Sequence, residues 1–174
     1  YRKTHSFISE TLWAKDGDLG FPVFSTEIGN LGGLICMDAS FPETARVLTL
    51  KGADVICFPP NWCNEKAPDP SWMARSFENG VYMIAADRWG NERTVEFSGG
   101  SVIIDPDGSI QSHLDNGNGI VYGVVDIQKA RDKTFGEEIG GNKFQDRRPT
   151  QYSTIVQNSY LYSPTEFFTL YGRP

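Results

Sequence analysis

An α/β fold built on a mostly parallel sheet is the architecture this chain predicts, from three observations. Two strand–helix–strand patterns follow one another between Leu31 and Ala86. Each helix stops at a glycine, Gly52 and Gly80, where a left-handed cap is favoured. Past Ala86 the pattern changes to short apolar strands around the turn Asp105-Pro-Asp-Gly108, which marks antiparallel pairing.

The elements follow in order. Asp16-Gly-Asp-Leu-Gly20 is a turn cluster, and Phe21-Pro-Val-Phe24 leads into a strand. Gly29-Asn30 predicts a hairpin turn before a strand over 31–36. Ser40 and Glu43 spell a capping box and Pro42 suits a first helical turn, so a helix is expected over 42–51. Residues 53–58 are a short apolar run, read as a buried strand. Pro59-Pro60-Asn61-Trp62 ends it, and a polar loop runs through Asp69-Pro70. A helix over 71–79 and a strand over 81–86 complete the second βαβ unit, whose crossover is right-handed. Strands over 100–105 and 109–113 follow, then a strand over 119–127 and a short helix near 128–133. From Phe135 onward the chain is rich in Gly, Arg, Gln, Tyr and Pro. It is read as an extended tail over 135–174 beside a domain over 1–134. The tail's aromatic residues Phe144, Tyr152, Tyr160, Tyr162, Phe167, Phe168 and Tyr171 are expected to pack on the domain or on a partner subunit.

Composition narrows the function. With 174 residues the chain can bury a sizeable core. A net charge of -6 argues against nucleic acid or an anionic membrane as partner. The three cysteines are an odd number without disulfide-framework spacing, and with only two histidines they make no persuasive zinc site. Reduced thiols and a cytoplasmic location are expected. The abrupt start at Tyr1 suggests the later part of a longer polypeptide.

The segment Gly32-Gly33-Leu34-Ile35-Cys36-Met37-Asp38 sets a thiol between a strand's end and a helix's start. Nearby backbone N–H groups and the positive helix end would favour a thiolate and could hold an oxyanion. The residues alone leave a nucleophile and a buried core cysteine equally open. Lys3 and Glu10 lie close upstream. An ammonium can stabilise charge on an acyl oxygen, and a carboxylate can shuttle protons and activate water.

At this point the chain, from Tyr1 to about Ile127, resembles the carbon–nitrogen hydrolase (nitrilase) superfamily. The resemblance rests on Tyr1-Arg-Lys-Thr-His5, Glu10, Gly17-Asp-Leu-Gly-Phe-Pro-Val-Phe24, Gly33-Leu-Ile-Cys-Met-Asp38, Phe41-Pro-Glu43 with Arg46, Lys51-Gly-Ala-Asp54, Asn61-Trp62, Glu78-Asn79, Asp87-Arg88, and Ser101 through Gly108, in that order and spacing. It implies an α-β-β-α sandwich, here without its N-terminal elements. It implies Cys36 as nucleophile, Lys3 as catalytic lysine and Glu10 as supporting glutamate, with the general-base glutamate further upstream. The Met37 N–H is expected to hold the oxyanion with Lys3, and Asn61 and Trp62, at a parallel strand's C-terminal end, are read as lining the pocket, with a core or interface role for Trp62 left open. No metal or organic cofactor is implied, the substrate is a small amide or nitrile, and a homo-oligomer is expected.

Residues after the cysteine bear on the branch. True nitrilases tend to have Cys-Trp-Glu, whereas Cys36-Met37-Asp38 followed by Phe41-Pro42-Glu43 looks like the amidase and carbamoyl-hydrolase branches. Asp87-Arg88-Trp89-Gly90 with Asn91-Glu92-Arg93 and Phe97 resembles aliphatic amidases. The loop over 64–70 offers no clear carboxylate-binding arginine, which disfavours an N-carbamoyl amino acid. The expected activity is hydrolysis of a small aliphatic amide through a Cys36 thioester. The alternatives are an N-carbamoyl amidohydrolase, a nitrilase, or an inactive scaffold. Elsewhere, Asp38 and Glu43 are expected to orient the turn and cap the helix. Arg46 is expected to meet a carboxylate, Glu78 and Asn79 to close a helix, and Asp87 and Arg88 to pair. Cys57 is read as inert core, Cys63 as lying beside the expected pocket, where loop packing is favoured over an oxidisable thiol, and His5 as part of the lysine motif.

Overall fold

The computed structural model describes residues 1–63, 65–136 and 140–157. Its strands in chain order begin with β1 (Val23–Thr26), β2 (Gly29–Gly33), β3 (Val55–Phe58) and β4 (Tyr82–Ala85). They continue with β5 (Trp89–Glu92), β6 (Val95–Ser98), β7 (Ser101–Ile104) and β8 (Ile110–Leu114). A six-stranded sheet takes the order β1-β2-β3-β4-β7-β8, and β5 and β6 form a separate ribbon. β2, β3 and β4 are parallel, as two βαβ units require. β1, β7 and β8 pair antiparallel at the two sides.

Helices α1 (Pro42–Leu50) and α2 (Pro70–Asn79) cover one face of the sheet. In α2 the buried residues Trp72, Arg75, Ser76 and Asn79 follow the i, i+3, i+4, i+7 stripe of an amphipathic helix. Asp69 caps its start by accepting from the Ser71 N–H at 2.8 Å. Gly80 ends it at φ +56, a conformation that glycine adopts without Cβ strain. Strand alternation supplies the other half of this core. Ile56, Phe58, Met83, Ala85, Val102 and Ile104 point to the helices, where the edge of Phe58 meets Trp72 with centroids 5.1 Å apart.

The opposite face gathers Val55, Tyr82 and Ala130, with Leu31, Ile84, Val125 and Ile127 packed against them. Helix α3 (Ile127–Arg131) sits here. Asp126 caps it by accepting from the Gln128 N–H, and Arg131 holds Asp54 through two hydrogen bonds of 3.0 Å. Cys57 is exposed rather than inert core, because strand alternation turns it to this less completely covered face.

Several local expectations are corrected. The first hairpin turns at Glu27-Ile28, one step before Gly29-Asn30, since Thr26 pairs with Gly29. Ser40 does not cap α1. The cap residue is Phe41, and Cys36–Ser40 is itself a 3-10 turn that consumes the expected cap position. Residues 119–126 carry no strand. The Gln111 side chain takes both the N–H and the C=O of Val124, groups a neighbouring strand would have used. The β5–β6 ribbon was not expected, because its turn at Arg93-Thr94 lacks the Asn-Gly or Asp-Gly signature.

The compact unit runs from Tyr1 to Phe144. A short pair, β9 (Thr134–Phe135) with β10 (Gly141–Asn142), folds the start of the expected tail back, and the Phe144 ring lies 5.3 Å from both the Arg46 guanidinium and the Lys133 ammonium. Arg46 thus serves an aromatic ring and the Glu78 carbonyl. The second unit begins at Gln145. Its described part holds two 3-10 turns, Pro149–Gln151 and Ser153–Val156, with the Arg147 guanidinium 5.6 Å from the Tyr152 ring. Tyr160, Tyr162, Phe167, Phe168 and Tyr171 lie outside the described residues.

Trp72 is fully buried, whereas Ile28 at the hairpin turn is 73% exposed. In urea unfolding of the purified protein, Trp72→Ala is expected to cost about 3–5 kcal/mol and Ile28→Ala less than about 0.5 kcal/mol. Equal losses would contradict this placement of the core.

Candidate active site

Cys36 stands one turn beyond β2, at the first residue of the 3-10 turn, with φ +46. A non-glycine residue in that region is strained, and such strain persists only where surrounding contacts over-determine it. The Asp38 carboxylate supplies many of those contacts. It is fully buried. One oxygen accepts from the Ile35 N–H at 3.0 Å and the Tyr1 hydroxyl at 2.7 Å. The other accepts from the His5 N–H at 2.9 Å and meets His5 Nδ1 at the same distance. His5 also stacks on Phe41 with ring centroids 4.0 Å apart. From the helix side, Thr44 donates to the Asp38 carbonyl at 2.9 Å and Arg75 to the Ala39 carbonyl at 3.2 Å. Asp38 therefore orients the turn as expected, and it also ties the N-terminal segment to the turn. His5 belongs to that tie. Glu43 takes no cap role, because Phe41 provides no side-chain cap and the 3-10 turn precedes it.

That tie delivers Lys3. Its ammonium forms an ion pair with Glu10, whose same oxygen accepts from the Phe7 N–H at 2.7 Å. Gly17 lets a second loop press close: its N–H donates to the Lys3 carbonyl at 2.7 Å, and a Cβ there would collide with the Arg2 and Lys3 carbonyls. Lys3, Glu10, Cys36, Met37, Asn61 and Trp62 all line one cavity of about 850 Å³. All the expected site residues are brought together.

The thiol's charge state differs from the expectation. Burial pushes the Cys36 thiol up, and it outweighs the Asn61 N–H, the Lys3 charge and the Met37 N–H, which pull it down. The N–H groups expected near the sulfur are present, but desolvation wins, so the resting side chain is held toward the neutral thiol. Cys63, expected beside the pocket, lines the cavity, and burial raises its thiol too.

Asn61 and Trp62 follow β3 at its carboxyl end, the usual ligand-binding end of a parallel sheet. Their loop is fixed from below. Trp62 packs edge-on against Trp72, with centroids 5.4 Å apart, and its backbone N–H donates to Asp87 Oδ1 at 3.0 Å. The Asp87 N–H in turn meets Ser101 Oγ at 2.9 Å. The expected Asp87–Arg88 pair does not form as side chains. Arg88 bonds Glu92 and lies 4.2 Å over the Phe97 ring, leaving Asp87 Oδ2 buried without a partner. Burial without a compensating cation pushes Asp87 from the ordinary 3.8 to about 7, although the Trp62 and Arg88 N–H groups pull it down. Asn79 is fully buried and closes its helix by donating to the Arg75 carbonyl at 2.8 Å.

The β5–β6 ribbon forms another cavity wall, with Glu92, Arg93, Val95 and Phe97, and Phe7 and Trp13 add further aromatic surface. Sequence reasoning missed this wall because it missed the ribbon. Among the described residues no cluster of three or more His, Cys, Asp or Glu side chains could hold a metal ion, and no helix is long and apolar enough to cross a membrane.

Comparison with known proteins agrees with the geometry. The profile of the family described as Carbon-nitrogen hydrolase matches residues 1–134, and the chain belongs to that family. It is 39% identical over 155 residues to a nitrilase of Pyrococcus abyssi, covering 87% of this chain and 57% of that protein. It is 37% identical over 164 residues to a probable nitrilase of Schizosaccharomyces pombe, covering 90% and 57%. The chain thus spans a little over half the length of these curated relatives. A solved amidase of Nesterenkonia sp. AN1 is similar in structure, with a TM-score of 0.74, 26% identity, and 90% and 56% of the two chains covered. That structure shows the acetamide moiety of fluoroacetamide added covalently at the active-site cysteine. The fold is accordingly that of the nitrilase superfamily's α-β-β-α sandwich.

The sign of the Asp87 effect is checkable. A carboxyl raised in the folded state binds its proton more tightly than when unfolded, so its stabilising contribution is complete below about pH 4 and is lost as pH rises through about 7. Asp87→Asn keeps an acceptor for the Trp62 N–H and cannot ionise. Urea midpoints measured from pH 4 to 8 are expected to fall for the wild-type protein relative to the variant. Parallel curves would show that Asp87 does not titrate in this range.

Proposed function

We propose that this chain carries the nucleophile of a thiol-dependent hydrolase of non-peptide carbon–nitrogen bonds, acting on a small aliphatic amide. The observation that supports this reading most is the strained Cys36 turn, with the Asn61 and Met37 N–H groups at the sulfur and the Lys3–Glu10 pair in the same cavity.

In the proposed reaction the amide lies against the Cys36 turn. Sγ attacks the carbonyl carbon as its proton passes to a carboxylate base. Lys3 and the Met37 N–H take up the developing oxyanion charge. Collapse of the tetrahedral species breaks the C–N bond, ammonia leaves with that proton, and a thioester forms. Water then hydrolyses the thioester to the acid and free thiol. Glu10 holds the Lys3 ammonium in place. The superfamily resemblance assigns the base to a glutamate preceding the lysine, so the proposed activity belongs to the whole protein. The raised Cys36 pKa fits a thiol that loses its proton only when that base and the substrate are in position.

Cys36→Ala is expected to lower ammonia release by on the order of 10⁵-fold. Fluoroacetamide or iodoacetamide is expected to label Cys36 ahead of Cys57 and Cys63, as resolved by peptide mass spectrometry. Because Lys3 pulls the Cys36 pKa down, Lys3→Met is expected to move the alkylation profile to higher pH. Equal labelling of the three cysteines together with undiminished turnover in Cys36→Ala would overturn the assignment. Equal labelling without any turnover would favour a non-catalytic scaffold.

A further inference from the structure

The loop that follows β3 supplies one of the contacts on the Cys36 sulfur. Burial raises that thiol. Of the groups that pull it down, the Asn61 backbone N–H acts most, ahead of the Lys3 charge and the Met37 N–H, while the Glu10 charge opposes them. An N–H favours a thiolate only while it points at the sulfur, because hydrogen bonds weaken steeply off line. The placement of Asn61 is therefore a direct control on the thiol.

Asn61 belongs to neither a helix nor a strand. The two peptides that flank it are tied to the segment from Ala86 to Ser101 instead. The peptide that carries its own N–H is held through the Pro60 carbonyl, which accepts from the Arg88 N–H at a long 3.4 Å. The next peptide is held better, since the Trp62 N–H donates to Asp87 Oδ1 at 3.0 Å. The Trp62 carbonyl then accepts from the Ser98 N–H at 2.9 Å, and Cys63 bridges Phe97. The ties from Arg88 and Ser98 are backbone to backbone. The tie from Asp87 comes from a side chain, so a substitution can remove it.

Asp87 is itself anchored to the sheet. The residue is 9% exposed. Its N–H donates to Ser101 Oγ at 2.9 Å, and its carbonyl accepts from the Ser101 hydroxyl at 3.2 Å. Ser101 opens β7, next to the registered pair Ala85–Val102 that joins β7 to β4. The Ala86 N–H donates to the Phe58 carbonyl at 3.0 Å, which ties the same stretch to the end of β3.

We propose that Asp87 is a positioning residue for the nucleophile: through the Trp62 N–H it aims the Asn61 N–H at Cys36 Sγ, in a line of contacts that begins at Ser101 in the sheet. Its bearing on turnover rests on the amidase reading, whereas the thiol reports on it without turnover.

The test is the pH dependence of Cys36 alkylation by iodoacetamide in the full protein, followed by peptide mass spectrometry. Asp87→Leu keeps the side chain's size and removes the acceptor, and its alkylation midpoint is expected to rise by about one pH unit. Asp87→Asn keeps the acceptor and is expected to retain the wild-type midpoint. Ser101→Ala loosens the Asp87 backbone and is expected to move the midpoint the same way by a smaller amount. Val102→Ala opens a core cavity beside Ser101 and leaves these hydrogen bonds in place. It is expected to lower the urea midpoint without moving the alkylation profile. An unmoved profile in folded Asp87→Leu, or an equal movement in Val102→Ala, would overturn the proposal. If Asp87→Leu does not fold, Ser101→Ala decides, and an unmoved profile there overturns it as well. Ammonia release from butyramide by the wild-type protein is followed separately. Release without any alkylation shift in the variants sinks only the positioning role. The expected shifts without release sink only the hydrolase reading.

Discussion

A single buried carboxylate, that of Asp38, joins the parts of this site. A charge taken out of water is costly unless hydrogen bonds replace its hydration. Here the replacements come from three separate places: the strand end at Ile35, the N-terminal Tyr1 and the lysine-bearing segment at His5. Satisfying Asp38 therefore requires those segments to converge. Their convergence holds Cys36 in a left-handed conformation and brings Lys3 to its cavity. Removing the carboxylate would leave buried donors unsatisfied and release the turn and the lysine together.

The same low-polarity surroundings set the charge states nearby. Cys36 has two N–H groups and a cation to favour its thiolate, yet its thiol is raised. Asp87 accepts from two N–H groups and still titrates near neutral pH. In both cases burial is the largest influence and the compensating charges are too few or too distant. Lys3 is held by Glu10, which divides its pull on the sulfur. Surroundings of this kind hold the Cys36 side chain toward the neutral thiol, the less oxidisable form.

The sheet supports this site through alternation. Side chains on one face of β3, β4 and β7 lock α1 and α2 against the strands, while the strand ends carry the turn at Cys36 and the loop at Asn61. The Trp62–Trp72–Phe58 stack runs from the cavity wall into the core, so the pocket's shape is tied to the packing that stabilises the unit. The other face is covered around α3 and leaves Cys57 exposed.

Much of this was legible in the residues. The strand and helix order from β2 to β4, the antiparallel pair β7 and β8, the stops at Gly52 and Gly80 and the turn at Cys36 follow from local period and punctuation, and the grouping of Lys3, Glu10 and Cys36 was implied by the family resemblance. These signals act over a few residues and so survive without a fold. The capping of α1 by Ser40, the strand over 119–127 and the Asp87–Arg88 pair were misread. Each depended on a competitor that only the folded chain supplies: the 3-10 turn, the Gln111 side chain, and Glu92. The β5–β6 ribbon, with Arg93 on its turn, has no glycine signature and owes its place to Cys63 and Phe97. Tertiary structure alone decided which charges are matched and which thiols stay protonated. Both depend on burial and on distances between segments far apart in sequence, and no local pattern encodes those quantities.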